Sequence, residues 1–193
     1  MDTDKLIRSL SLIAPLSAEL QKAFSDYVTE ESYPKKHLLL KSGQVAKRIH
    51  FIKEGFARAF YFTKNVKECT AWFMGQGDLM ISVYSFFTQQ PAAENIELLE
   101  DSVIQSMTWS QLQSIYADFK EFNYIGRIIT EKYYIQSEER AILLRTLTAK
   151  ERYELLLNSH PTIFQKASLG QIASYLGISQ ETLSRVRGRY RAF

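Results

Sequence analysis

Residues 168–190 leave little choice of local structure, because successive positions suit two short helices joined by a tight turn. Ser168 and Gln171 have the spacing of a capping box, which predicts the start of the first helix. Gly177 is suited to the left-handed backbone conformation that ends this helix, and Ser179 can cap the second one. The pattern therefore predicts a compact pair of crossing helices in this part of the chain.

The second predicted helix has one apolar face and one polar face. Leu183, Val186 and Tyr190 recur at helical spacing, so we expect them to point into a core. Four side chains on the opposite face have the chemistry to reach base edges in a major groove: Gln180, Glu181, Ser184 and Arg185. Three arginines flank that face and are expected to bond to phosphates: Arg187, Arg189 and Arg191.

Basic charge is concentrated in the same part of the chain. Residues 148–193 contain seven Lys and Arg against three Asp and Glu, whereas residues 1–147 contain seventeen against eighteen. A run of charge is often only a solvated face. Next to a predicted helix pair, however, this asymmetry favours a polyanionic partner.

From about residue 34 to 110 the sequence changes to short aromatic and aliphatic runs. These runs predict six strands, at residues 38–40, 50–52, 57–62, 70–74, 96–99 and 103–109. Turn signals such as Ser42-Gly43 separate them about every ten to fifteen residues. Regularly spaced short strands are typical of an antiparallel barrel or sandwich.

Helical spacing lies on both sides of this strand region. Residues 4–28 predict two short helices separated at Pro15. After Trp109 helical spacing returns and continues to about residue 146, with a break near Phe119. A helix of that length needs a partner along its surface.

One stripe of the long helix suggests what that partner is. Four residues form the stripe at nearly heptad spacing: Tyr124, Ile128, Ile135 and Ile142. The stripe predicts pairing with a second copy of the chain. Because Glu131 and Glu138 share it, packing of the helix against its own barrel is the alternative.

Composition argues against several kinds of site. Cys69 is the only cysteine, so no internal disulfide or thiolate cage can form, and we expect a buried side chain there. His37, His50 and His160 are scattered and no catalytic or nucleotide-binding motif is present, so neither an enzyme nor a cofactor is expected. His37 and His50 are expected in the sheets and partly buried, with a haem sensor left open. Neither a signal peptide nor a run of eighteen apolar residues is present, which predicts a cytoplasmic protein without membrane contact.

At this point the whole chain resembles the Crp/Fnr family of transcription regulators. The resemblance is carried by IASYLGISQETLSR at residues 172–185, TAKERY at 148–153 and GFAR at 55–58. It implies an α+β fold in three parts. These are a cyclic-nucleotide-binding-like antiparallel β-roll, similar to a jelly roll, over residues 1–118, a dimerisation helix over 119–147, and a helix-turn-helix DNA-binding domain over 148–193.

The resemblance also implies roles and partners. By position, Gln180, Glu181 and Arg185 would contact bases, whereas Ser179 and Thr182 would lie near phosphates. The implied partners are double-stranded DNA with a palindromic operator, a second copy of the chain, and RNA polymerase, with an unidentified effector in the β-roll. The β-hairpin wing that many family members carry after the second helix is expected to be absent or very short here.

The sequence departs from the family pattern at the ligand pocket. Family members that bind cyclic AMP have Gly-Glu soon after a Gly-Asp turn, to hold the ribose, and a later Arg-Ser or Arg-Thr pair for the phosphate. After the Gly-Asp turn at residues 77–78, Ile81 and Ser82 stand where Gly-Glu would be. A phosphate beside Glu94 or Glu97 without an arginine would be repelled. Control by a cyclic nucleotide is therefore not expected.

Two alternatives stay open at this level. Residues 168–190 could form an ordinary helical hairpin, although the order Ala173, Gly177, Leu183 favours a helix-turn-helix. The chain could also be a β-roll sensor or adaptor that acts through protein contacts and binds no DNA. Aromatic clusters such as Trp72-Phe73 could line an apolar effector pocket or simply fill the core.

Overall fold

The computed structural model describes the backbone of residues 4–190 and the side chains of residues 5–188. Two short helices come first, α1 (Asp4–Ser11) and α2 (Ala18–Tyr27), separated around Pro15 as expected. Ser17 begins α2 by accepting a hydrogen bond from the backbone N–H of Leu20. Leu20 and Phe24 of α2 are buried and anchor the pair on the main core.

Eight strands and one short helix follow. They are β1 (Thr29–Tyr33), β2 (Leu38–Leu40), β3 (Arg48–Glu54), β4 (Phe56–Phe62), β5 (Glu68–Gly75), β6 (Leu79–Met80), α3 (Val83–Thr88), β7 (Asn95–Leu98) and β8 (Ser102–Thr108). All six predicted strands are present, with slightly different ends. Sequence analysis missed β1, β6 and α3.

The strands form two antiparallel four-stranded sheets in the orders β1-β8-β3-β6 and β2-β7-β4-β5. Cross-strand pairs place apolar side chains on the inner faces, as where Ile52 lies opposite Ile104 and Ala59 opposite Ile96. These residues belong to a core that α1, α2 and the following helices also enter. The predicted antiparallel β-roll is confirmed.

Two helices follow the β-roll, α4 (Trp109–Asp118) and α5 (Lys120–Thr146), and Phe119 separates them at the expected break. The last predicted strand is one residue too long, because Trp109 already belongs to α4. Thr108 ends β8 and forms a capping box with Gln111, which turns the chain into the helix there. Among residues 4–190, no helix is long and apolar enough to cross a bilayer.

Four helices complete the described chain: α6 (Ala149–Ser159), α7 (Ile163–Lys166), α8 (Leu169–Leu176) and α9 (Gln180–Tyr190). Their core also contains Phe56, Phe73 and Leu99 of the β-roll. The helices are therefore packed on the sheet formed by β4 and β5. The boundary between residues 147 and 148 stays a prediction, since this second core spans it.

Two predictions of burial are wrong. Cys69 is exposed, because it lies one residue into β5, beside the turn that joins this strand to β4. His37 is also exposed, in the turn before β2, where it stacks against Tyr33 at 4.5 Å between ring centres. His50, in contrast, is buried in β3, with 9% of its surface exposed.

Candidate nucleic-acid interface

Helices α8 and α9 form the crossing pair that the sequence predicted. The Ser168 N–H donates to Gln171 Oε1 at 2.9 Å, and the Gln171 N–H donates back to Ser168 Oγ at 3.3 Å. Gly177 ends α8 in the left-handed conformation, with φ of 66°. Ser179 then caps α9, because its Oγ accepts a hydrogen bond from the Thr182 N–H at 3.2 Å.

The inner face of α9 is fixed by apolar packing. Leu183 is fully buried, and Ile178 and Val186 pack against the same core as Ile172 and Leu176 of α8. The prediction that Leu183 and Val186 point inward is confirmed. The side chain of Tyr190 lies outside the described residues.

The outer face of α9 carries exposed polar side chains. Four residues are open to solvent there: Gln180, Glu181, Ser184 and Arg185. The Arg185 guanidinium donates to Thr182 Oγ1 at 3.1 Å, which holds it along the helix surface. A hydrogen bond from Ser179 lowers the pKa of the Glu181 carboxyl, so it is ionised at neutral pH and can accept from a base amino group.

The flanking arginines differ from one another in their surroundings. Arg187 is half-buried, and its guanidinium lies 4.5 Å from the centre of the Phe164 ring in α7. This cation–π contact holds Arg187 against the helical core rather than beside Arg185. The side chain of Arg189 and all of Arg191 lie outside the described residues, so their contact with phosphates stays a prediction.

Gly170 is a part of this surface that sequence analysis did not single out. A Cβ at Gly170 would lie 2.9 Å from Nε2 of Gln180. The amide of Gln180 therefore packs against the first turn of α8, and the N-terminal ends of both helices lie at one surface. The N–H groups at the start of α8 supply further donors that suit an anionic ligand such as phosphate.

The opposite side of α8 is occupied by the β-roll. The Thr70 N–H of β5 donates to Ser174 Oγ at 3.1 Å, and the rings of Phe73 and Tyr175 lie 4.9 Å apart. Arg140 of α5 lies 3.7 Å over the Tyr175 ring and donates to the Tyr175 carbonyl at 2.8 Å. These contacts fix α8 on the side that faces the β-roll, and they leave the outer face of α9 exposed.

The residues at the ligand-pocket positions lie in different places. Ile81 and Glu94 line a cavity of about 700 Å³ between the β-roll and α5, and Glu94 accepts a hydrogen bond from the Tyr61 hydroxyl. Ser82 lines a smaller cavity of about 510 Å³. Glu97 lines neither cavity, and it pairs with Arg58 at 2.6 Å.

Arg58 corrects one part of the sequence interpretation. We expected no arginine near Glu94 or Glu97, but Arg58 of β4 is buried between Glu68 and Glu97, each 2.6 Å away. Residues from three strands meet at this point, which the linear sequence does not show. Because both carboxylates already neutralise it, Arg58 is not available to hold a cyclic phosphate.

Comparison with known proteins gives a consistent picture. Residues 30–119 match the family model of the cyclic nucleotide-binding domain. No curated protein matches the sequence significantly.

Solved structures resemble the chain over most of its length. FixK2 from Bradyrhizobium japonicum is 19% identical with a TM-score of 0.72, covering 86% of this chain and 85% of its own. The c-di-GMP responsive global regulator CLP of Xanthomonas campestris is 15% identical with a TM-score of 0.69, covering 91% and 92%. A protein from Eubacterium rectale, described as a transcriptional regulator of the Crp/Fnr family, is 15% identical with a TM-score of 0.71, covering 92% and 84%. Residues 30–119 are therefore similar to cyclic nucleotide-binding domains, and the described chain has the fold of Crp/Fnr transcriptional regulators.

Proposed function

We propose that this protein is a transcription regulator that binds double-stranded DNA through the outer face of α9. The observation that carries this proposal is the exposure of Gln180, Glu181, Ser184 and Arg185 on one helix face, with Leu183 buried behind them. An α-helix fits the major groove, and these side chains can pair with base edges there. The N-terminus of α8 lies next to Gln180, and in this proposal it binds the DNA backbone.

Each polar residue of α9 has a proposed role. Arg185 is the best candidate for a bidentate bond to guanine, and Gln180 has the amide chemistry that suits adenine. Ser179 and Thr182 lie at the first turn, where their hydroxyls would approach phosphates once DNA replaces their mutual hydrogen bond. The excess of basic residues over 148–193 supplies the long-range attraction.

The regulator is proposed to act as a homodimer through α5. Tyr124, Ile135 and Ile142 are each about half exposed, at 49%, 55% and 54%, and face away from the β-roll core. Such a stripe on a 27-residue helix suits pairing about a two-fold axis. The two copies of α9 would then bind in major grooves about 34 Å apart on a palindromic operator. RNA polymerase would be the further partner of such a regulator in the cytoplasm, as the family resemblance implies.

The test begins with a duplex selected by the full-length protein from a random library, and a scrambled duplex of the same composition. Both are titrated at several salt concentrations. Arg185→Ala is expected to cost about 1–3 kcal/mol on the selected duplex and to relax the preference at one base pair in each half-site. Arg185→Lys is the matched variant, because it keeps the charge but loses the planar fork. Arg185→Lys should retain the salt dependence of DNA binding but lose the preference at that base pair.

Lys64→Ala, in the exposed turn between β4 and β5, is the control and should leave both affinities unchanged. If Arg185→Ala leaves the ratio of the two affinities unchanged, the assignment of the base-reading face is wrong. If no duplex binds with an affinity that falls steeply as salt rises, the DNA-binding proposal itself fails. The chain would then be a sensor or adaptor that acts through protein contacts.

A further inference from the structure

Gly170 is the second residue of α8, and its backbone conformation does not require a glycine. Its φ lies outside the left-handed region, unlike that of Gly177, which ends the same helix. At an ordinary helical position glycine costs stability relative to alanine, because glycine loses more conformational freedom on folding. The reason for a glycine here therefore lies in what surrounds it.

The surroundings of Gly170 contain one atom that a side chain at this position would displace. A Cβ would lie 2.9 Å from Nε2 of Gln180, whereas Cδ of Gln180 and Oγ of Ser168 would be 3.7 and 3.9 Å away. Ordinary contacts of a Cβ begin near 3.4 Å, so only the amide nitrogen would have to move. The end of the Gln180 side chain thus occupies the space that a side chain at position 170 would fill.

Gln180 is the part of this contact that can move. It is the first residue of α9, its side chain is exposed, and its amide has no hydrogen-bond partner within residues 5–188. The two helices, in contrast, are fixed by Ile172 of α8 and Leu183 of α9, which are both fully buried. An added Cβ would therefore shift the Gln180 amide and leave the helices in place.

We propose that Gly170 is a specificity-determining residue of the DNA-binding surface, because it positions the amide of Gln180 for base reading. This inference rests on the proposed function of α9. An amide that pairs with adenine through two hydrogen bonds has to be held within about 0.5 Å of the productive geometry. Gly170 lets the amide lie against the first turn of α8, and any larger residue pushes it out of that place. Gly170 is thus a positioning residue that acts through Gln180.

The contact between Gly170 and Gln180 can be tested without DNA. In NMR spectra of the full-length protein, the side-chain amide protons of Gln180 should show a nuclear Overhauser effect to the Hα protons of Gly170. Gln180→Ala identifies the amide signals by removing them. Gly170→Ala should shift these signals, while urea unfolding should show that this variant is at least as stable as the wild type, because alanine suits a helix better than glycine.

The effect on base preference is tested by duplex selection with the wild type, Gly170→Ala, Gln180→Ala and the double variant. Gln180→Ala should relax the preference at one base pair in each half-site. Gly170→Ala should change the preference at that same base pair by about fivefold or more, and leave the other base pairs and the salt dependence as in the wild type. In the Gln180→Ala background Gly170→Ala should change nothing, because the amide that it displaces is no longer there.

Each of three results would overturn this proposal. The first is that the nuclear Overhauser effect is missing from the free protein. The second is that Gly170→Ala binds DNA with the wild-type preference at every base pair. The third is that Gly170→Ala changes the preference equally in the Gln180→Ala background, since it would then act on something other than the amide. If instead no duplex binds with salt-dependent affinity, the DNA-binding proposal fails and this inference fails with it. A protein that binds its operator and tolerates Gly170→Ala refutes this inference alone.

Discussion

Acidification is expected to destabilise the protein through His50. This residue lies in β3 opposite Ser106 of β8, with 9% of its surface exposed. Burial is the main cause that lowers its pKa from 6.5 to about 4, the positive charge of Arg48 lowers it further, and Glu31 opposes this weakly. The folded protein therefore resists protonation at this site, while the unfolded chain takes up a proton near pH 6.5.

The sign and size of the effect follow from this difference. Since the unfolded chain binds the proton more readily, the free energy of unfolding falls as the pH drops from about 6.5 towards 4. Above pH 6.5 the contribution of His50 is fully present. The two pKa values differ by about 2.5, which corresponds to a loss on the order of 3 kcal/mol by pH 4. That is a large part of the stability of an ordinary domain.

The measurement is urea unfolding between pH 4 and 8 for the wild type, His50→Leu and His50→Gln. The free energy of unfolding of both variants should fall less between pH 6.5 and 4, with a difference from wild type on the order of 3 kcal/mol. His37→Leu replaces an exposed histidine and serves as the control, which should follow the wild type. Curves for the His50 variants that run parallel to the wild-type curve would refute the reasoning.

The other predictions concern assembly, ligand choice and backbone conformation. Ile135→Asp should convert the dimer to a monomer, as measured by light scattering at micromolar protein concentration, whereas the neighbouring Gln136→Asp should leave the dimer intact. A monomeric wild type would contradict dimerisation through α5. Calorimetry should detect no binding of cyclic AMP or cyclic GMP at micromolar affinity, because no arginine is found among the described residues that line the cavity of about 700 Å³. Gly55→Ala should lower the unfolding free energy by more than about 2 kcal/mol, because φ is 122° and the new Cβ would lie 2.1 Å from Ser102 Oγ. Gly43→Ala, with open space and φ of 87°, should cost only about 1 kcal/mol. Urea unfolding of both variants measures the two losses, and equal losses would be evidence against the clash.

Local signals explain why α8 and α9 could be predicted from the sequence. Ser168 and Gln171 form the capping box within four consecutive residues, and Gly177 ends the helix through its own backbone conformation. Leu183 repeats the apolar spacing that buries one face of α9. Each of these features depends only on residues that are close in the chain, so the sequence alone is enough to predict the two helices.

Strand β1 shows where local signals are too weak. Its five residues, Thr-Glu-Glu-Ser-Tyr, are polar because the strand lies at a sheet edge and pairs only with β8. Strand β6 has two residues, too few for any periodicity to be seen. In both cases pairing with a distant strand, rather than intrinsic preference, determines the conformation.

The sequence by itself determined the order of the main parts of the chain, the antiparallel strands of the β-roll, the long helix and the helix pair with its polar outer face. Only the tertiary structure decided where charges and cavities lie. Arg58 meets Glu97 from another strand, Ser174 of α8 meets Thr70 of β5, and the cavity of about 700 Å³ is enclosed by segments far apart in the chain. Such contacts depend on how packed elements approach one another in space, which spacing along the chain does not encode.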